Sequence, residues 1–152
     1  MSIEKDIRQT KFASTRQKAM INILYTYGWM LEKIKNILAK ENITHQQFNI
    51  LRILRGSHPK PLSTLQIRLL MLDTMSDTSR IVDRLVIKGL VKKTVSSTDK
   101  RLVDIMITTK GRNLLKKLDA EADLVSEVMH TISEEEAGQL SDLLDHLRSS
   151  DK

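Results

Sequence analysis

Arg80 and Arg84 stand one helical turn apart in the run Ser76-Asp77-Thr78-Ser79-Arg80-Ile81-Val82-Asp83-Arg84-Leu85. At about 100° per residue, Thr78, Ile81, Val82 and Leu85 share one face of a helix. Ser76, Ser79, Arg80, Asp83 and Arg84 fall on the other side. A guanidinium there can bond guanine O6 and N7 bidentately, or neutralise a phosphate. The Ser76 and Ser79 hydroxyls, near the helix N-terminus, can donate to phosphates alongside free backbone N–H groups. One face is therefore built for burial and the other for an anionic partner.

A second cationic group follows at Asp99-Lys100-Arg101, the polar tip between two β-prone runs. A long cation at a hairpin tip suits a narrow, strongly negative minor groove. Asp99 would be repelled by phosphate, so its expected role is to accept hydrogen bonds from Arg101 and hold the guanidinium in place. Lys92 and Lys93 are weaker phosphate candidates, because charges on an edge hairpin also serve solubility.

The elements that must position these groups are legible. Gly89 sits where a helix end wants a residue able to take φ > 0. Leu90 to Val95 is rich in β-formers, and Val103, Ile105 and Ile107 alternate with Leu102, Asp104 and Met106. Helix, Gly and basic hairpin together make the layout of a winged helix-turn-helix, in which the helix reads bases and the wing touches backbone or minor groove.

Over this stretch the sequence resembles the multiple-antibiotic-resistance regulator (MarR) family of bacterial transcription factors. The resemblance is carried by Ser79-Arg80-Ile81-Val82-Asp83-Arg84-Leu85, Lys88-Gly89-Leu90-Val91, Asp99-Lys100-Arg101 and Ile107-Thr108-Thr109-Lys110-Gly111. The flanking helices fit as well, so it covers nearly the whole chain. The wing departs from the commoner Asp-Arg-Arg, keeping the charge but losing one guanidinium fork. Val86 and Ile87 replace acidic residues often found late in the recognition helix. The resemblance implies a homodimeric regulator that binds a pseudo-palindromic operator in double-stranded DNA, a repressor released by a small effector. It also implies a cleft for small aromatic or phenolic molecules between dimerisation helices and winged lobe. Tyr25, Tyr27, Trp29 and Met71 are the candidates to line it; ordinary core packing is the competing reading for each.

Composition sets the bounds. A chain of 152 residues with 40% hydrophobic residues fits one domain with a full core. It has no cysteine, which removes disulfides, thiolate metal sites and thiol redox sensing. The four histidines, His45, His58, His130 and His146, have no metal spacing with one another or with carboxylates. No P-loop, GxGxxG or nucleophile elbow occurs, so neither enzyme activity nor a cofactor is expected. No apolar run approaches the roughly 20 residues of a membrane span, and a cytoplasmic location is expected. Of 25 lysines and arginines, 21 lie in residues 1–112, against 9 of the 19 acids. A basic lobe followed by an acidic tail points to a polyanion-binding part and a separate assembly part. Only 3% of residues are aromatic, which disfavours a base-stacking single-strand binder.

In order along the chain, residues 1 to 11 are polar and expected to be frayed. A long helix is expected over 12–40, with Met20, Ile23, Leu24, Tyr27, Leu31, Ile34 and Leu38 as its stripe. Thr44 to Gln47 and Ser63 to Gln66 read as capping boxes opening two short helices, the first closed by Gly56. Asp73 and Thr74 both qualify as caps for the recognition helix. One helix is expected over 109–130, with Leu114, Leu115, Leu118, Ala122, Val125 and Met129 inward. Ser133 to Glu136 caps a last amphipathic helix carrying Ala137, Leu140, Leu143, Leu144 and Leu147.

The expected fold is mainly α with a small β-hairpin wing: a winged helix-turn-helix over 44–111, flanked by dimerisation helices at 12–40 and 113–150, in a single domain of residues 1–152. Two other readings stay open: a winged protein-interaction module that ignores DNA, and a constitutive architectural DNA binder without effector.

Overall fold

The computed structural model describes residues 2–121 and 123–149; of Glu121 only the backbone is described. Among the described residues the elements follow in the order α1 (Ile3–Asp6), α2 (Thr15–Ala39), α3 (His45–Ser57), α4 (Thr64–Leu70), α5 (Thr78–Ile87), β1 (Val91–Val95), β2 (Val103–Ile107), α6 (Thr109–Glu121), α7 (Leu124–Met129) and α8 (Glu134–Arg148). The fold is mainly helical with a two-stranded antiparallel wing, as the sequence patterns predict.

Local capping chemistry sets most helix starts. Thr44 and Ser63 each accept the N–H of the glutamine three residues on, and that glutamine accepts the N–H of the cap in return. Ser133 and Glu136 do the same for α8. Each reciprocal pair satisfies two donors that the first turn would otherwise leave bare.

The core sits in the winged lobe. Ile50, Leu51 and Leu54 of α3, Ile67 of α4, Val82 and Leu85 of α5, Ile105 and Ile107 of β2 and Leu115 of α6 are buried together with Leu38. Burying a side chain of this size contributes roughly 1.5–3 kcal/mol. In the hairpin Val91 pairs with Ile107 and Val95 with Val103. A further bridge joins Leu62 to Ile105, through hydrogen bonds of 3.0 and 2.9 Å.

Two glycines are fixed by geometry. Gly89 takes φ 70°, the left-handed conformation that ends α5 and turns the chain into β1. At Gly111 a Cβ would lie 2.7 Å from Ile107 Cγ1 and closer still to the Leu90 carbonyl oxygen. Only a bare backbone lets α6 pack this tightly on the hairpin.

Four expectations need correction. The first residues are not frayed throughout: Ile3 is buried within α1, and Glu4 pairs with Lys18, which lowers the Glu4 pKa. Gly56 does not close α3, which continues through Ser57. The recognition helix is capped by neither Asp73 nor Thr74. Asp77 caps it, its Oδ1 accepting the Arg80 N–H at 3.2 Å. The helix predicted over 109–130 is two. Asp123 adopts an extended ψ and caps α7 through Val125 N–H and the Ser126 hydroxyl. That restart rotates the face, so Val128 is buried while Val125 is exposed. Ala122, expected inward, lies outside the described residues, as does residue 150 at the end of the expected assembly segment.

Candidate nucleic-acid interface and adjoining cavity

α5 buries Thr78, Val82 and Leu85 and leaves Ser79, Arg80, Asp83 and Arg84 exposed. The amphipathic split expected from the sequence is kept, with Ile81 only half-buried on the inner face. The Arg80 side chain keeps 74% of its surface free, with Asp77 Oδ2 a loose 3.8 Å from its Nε. Arg84 makes no ion pair among the described residues. Ser76 belongs elsewhere: it lies half-buried in the turn before α5, not on the helix.

The hairpin is held against this helix. Asp83 Oδ1 accepts from Lys93 Nζ at 2.8 Å. Both Lys92 and Lys93 are exposed, but Lys93 is engaged by Asp83. At the tip, Lys100 and Arg101 are exposed. Asp99 braces Arg101 differently from expectation: its Oδ1 accepts the Arg101 main-chain N–H at 2.9 Å, not the guanidinium. The Asp99 carbonyl also accepts from Leu102 N–H at 2.9 Å. Asp99 therefore shapes the tip backbone, and among the described residues the Arg101 side chain has no ion pair.

A cavity of about 350 Å³ opens between α2, α3, the turn before α5, and α7. Tyr27 and Met71 line it, and Tyr25 and Trp29 do not. Trp29 instead carries Lys33 Nζ 4.8 Å from its ring centroid. The sequence reading missed the polar wall formed by His45, Asn49, Arg52 and Asp73. Arg52 sits 5.8 Å from the Phe48 ring centroid. Burial, with the positive charge of Lys35 adding, lowers the His45 pKa, and Asp73 opposes this. Asn49 Oδ1 accepts the Leu72 N–H at 2.9 Å, so the cavity wall is tied to the turn leading into α5. The spacing of Phe48 and Arg52, one turn apart, was the available signal for an apolar wall with a cation at its rim.

Outside the lobe, the N-terminal half of α2 exposes Met20, Ile23, Leu24 and Tyr27, while its C-terminal end buries Leu38. No residue of α8 is buried, and Leu140, Leu143 and Leu147 face solvent. Among the described residues no group of three or more His, Asp or Glu side chains could hold a metal ion. No described helix is long and apolar enough to cross a membrane.

Three helices, a basic hairpin and long flanking helices define a winged helix-turn-helix regulator. The sequence pattern of the MarR family matches residues 43–103. A MarR transcription factor from Planctomyces limnophilus is 31% identical, over 89% of this chain and 98% of that one, with a TM-score of 0.67. The protein belongs to the MarR family of transcription regulators. The fold is shared with an E. coli MarR mutant complexed with operator DNA, at 21% identity, 97% and 99% coverage and TM-score 0.73. It is also shared with Bordetella bronchiseptica BpsR, whose DNA binding is regulated by 6-hydroxynicotinic acid, at 16% identity, 91% and 99% coverage and TM-score 0.77. No protein of curated function matches the chain by sequence.

Proposed function

We propose that the protein is a homodimeric repressor that binds an inverted-repeat operator through α5 and the wing and is released by a small aromatic acid. The observation that carries the reading is the exposed cationic face of α5, Arg80 above all, on a helix whose opposite face buries Thr78, Val82 and Leu85. Ser79, Arg80 and Arg84 meet the major groove, with Ser76 supporting the helix start from the preceding turn. Lys100 and Arg101 reach the minor groove from a tip shaped by Asp99. Residues 44–111 form the DNA lobe.

Residues 12–40 and 113–150 form the dimer. The exposed apolar side chains of α2 and α8 support this, since a lone chain would leave Leu24, Leu143 and Leu147 in water. Two lobes related by a dyad require half-sites with centres about one helical turn apart.

The cavity takes the effector. Its apolar lining suits an aromatic ring, and Arg52 suits a carboxylate. The acid that regulates BpsR has both features and is the first compound to test.

Selection of bound sites from random duplexes tests the reading. Enrichment of an inverted repeat, bound by a particle of twice the chain mass and released by an aromatic acid, is the expected result. Retention on heparin with no enriched duplex would return the protein to the interaction-module reading.

A further inference from the structure

The turn before α5 is pinned at three points. Leu72 N–H donates to Asn49 Oδ1 at 2.9 Å, Met75 N–H to Asp73 Oδ1 at 3.1 Å, and Ser76 N–H to the Asp73 carbonyl at 3.3 Å. On this fixed turn Met75 is 92% exposed, the most exposed large apolar side chain among the described residues. It stands two positions before the cap of α5 and on the same segment as exposed Ser79 and Arg80.

The position is hard to explain as packing, since no described residue covers it. Leu72, almost as exposed, at least lines the cavity, and Met75 does not. The hydroxyl and guanidinium groups of α5 already supply hydrogen bonding. Such groups read donors and acceptors on base edges. The one apolar feature of the major-groove edge is the C5-methyl group of thymine. A methionine, unbranched and polarisable, can settle on a methyl whose position it need not match closely.

We propose that Met75 is a specificity-determining residue that contacts a thymine methyl in each half-site, where the start of α5 meets the major groove. The inference rests on the DNA-binding reading. It adds a base preference that charge and hydrogen bonding do not supply.

The test uses the full chain and a duplex enriched from a random pool, resynthesised with deoxyuridine at each thymine in turn. Deoxyuridine pairs as thymine does but lacks the methyl. One thymine per half-site should lose about fourfold in affinity on replacement, the worth of one buried methyl group. Met75→Gln keeps the length and removes the apolar end, so it should bind both duplexes equally. Met75→Leu should keep the preference. Because the side chain is exposed, thermal unfolding of both variants should match the parent.

Discrimination that survives in Met75→Gln would overturn the proposal. So would a parent protein indifferent to every methyl, or a Met75→Gln variant altered in dimer mass with its thymine preference intact. Failure to enrich any duplex is a different result, since it removes the DNA-binding reading and the inference with it.

Discussion

Lys88 Nζ lies 3.0 Å from Gln47 Oε1, joining the end of the recognition helix to the start of α3. The same Gln47 oxygen accepts the Thr44 N–H at 3.1 Å, so one buried amide serves both the cap and the lysine. Lys88 also donates to the Asn42 carbonyl at the close of α2. Its own carbonyl accepts from Lys110 Nζ at 2.8 Å. Lys88, at the end of α5, thus ties together the turn after α2, the start of α3 and the start of α6.

Lys88→Met should therefore lower stability rather than read as a lost phosphate contact. Two hydrogen bonds disappear while the stem is kept, for an expected loss of about 1–3 kcal/mol. Denaturant unfolding measures it. If the denaturation midpoint is unchanged and only DNA affinity falls, Lys88 is a DNA ligand instead.

Arg80 and Arg101 should separate under mutation. Arg80→Ala should cost about 1–3 kcal/mol on the operator and much less on scrambled duplex. Arg101→Ala should weaken both and flatten the salt dependence. Titrations of the two duplexes at two salt concentrations distinguish them. Equal losses on both duplexes for Arg80→Ala would make it a phosphate clamp.

Asp99 gives the sharpest sign. Deleting an acid near DNA should tighten binding on charge alone. Asp99→Ala also removes the acceptor for the Arg101 N–H, and weaker binding is expected. Asp99→Asn keeps an acceptor oxygen and drops the charge, so it should bind at least as tightly as the parent. If the alanine and asparagine variants behave alike, the tip does not depend on that bond.

In the cavity, Arg52→Met should weaken binding of 6-hydroxynicotinic acid about tenfold or more while leaving operator affinity nearly intact. Trp29→Phe should leave that binding unchanged, because Trp29 is not in the lining. Calorimetric titration compares them. A large effect from Trp29→Phe would place the ligand elsewhere on α2.

His45 should impose a pH dependence. Its folded pKa is lowered, chiefly by burial and then by Lys35, against the pull of Asp73. The neutral ring is favoured in the folded state. Its contribution is complete above the unfolded value of about 6.5 and declines as pH falls through the folded value. Unfolding midpoints between pH 7.5 and 5 should fall, and fall less in His45→Gln. Parallel curves for the two proteins would remove His45 as the cause.

What the sequence made legible is what local chemistry decides. Thr44, Ser63 and Ser133 announce their helices because both halves of each capping box lie within four residues. The strand alternation of Val103, Ile105 and Ile107 survives because the pleat has a fixed period. Asp77 was overlooked as a cap because Asp73, Thr74 and Asp77 all have suitable side chains. Only the turn geometry chooses among them. The break at Asp123 sits inside a continuing apolar rhythm, so periodicity carried the helix through it. Periodicity likewise ranked the faces of α2 but not its ends. Tyr27 reaches the cavity and Trp29 does not because α3 and α7 stand beside one part of that helix.

The Lys93–Asp83 bridge joins α5 to the hairpin, and the close seat of Gly111 packs α6 against it. A recognition unit of this kind behaves as a caliper. On the proposed reading its jaws are the Arg80 face and the Arg101 tip, carried on one lobe. If both features hold DNA as proposed, a duplex lengthened or shortened by a single base pair between them can satisfy one jaw at a time.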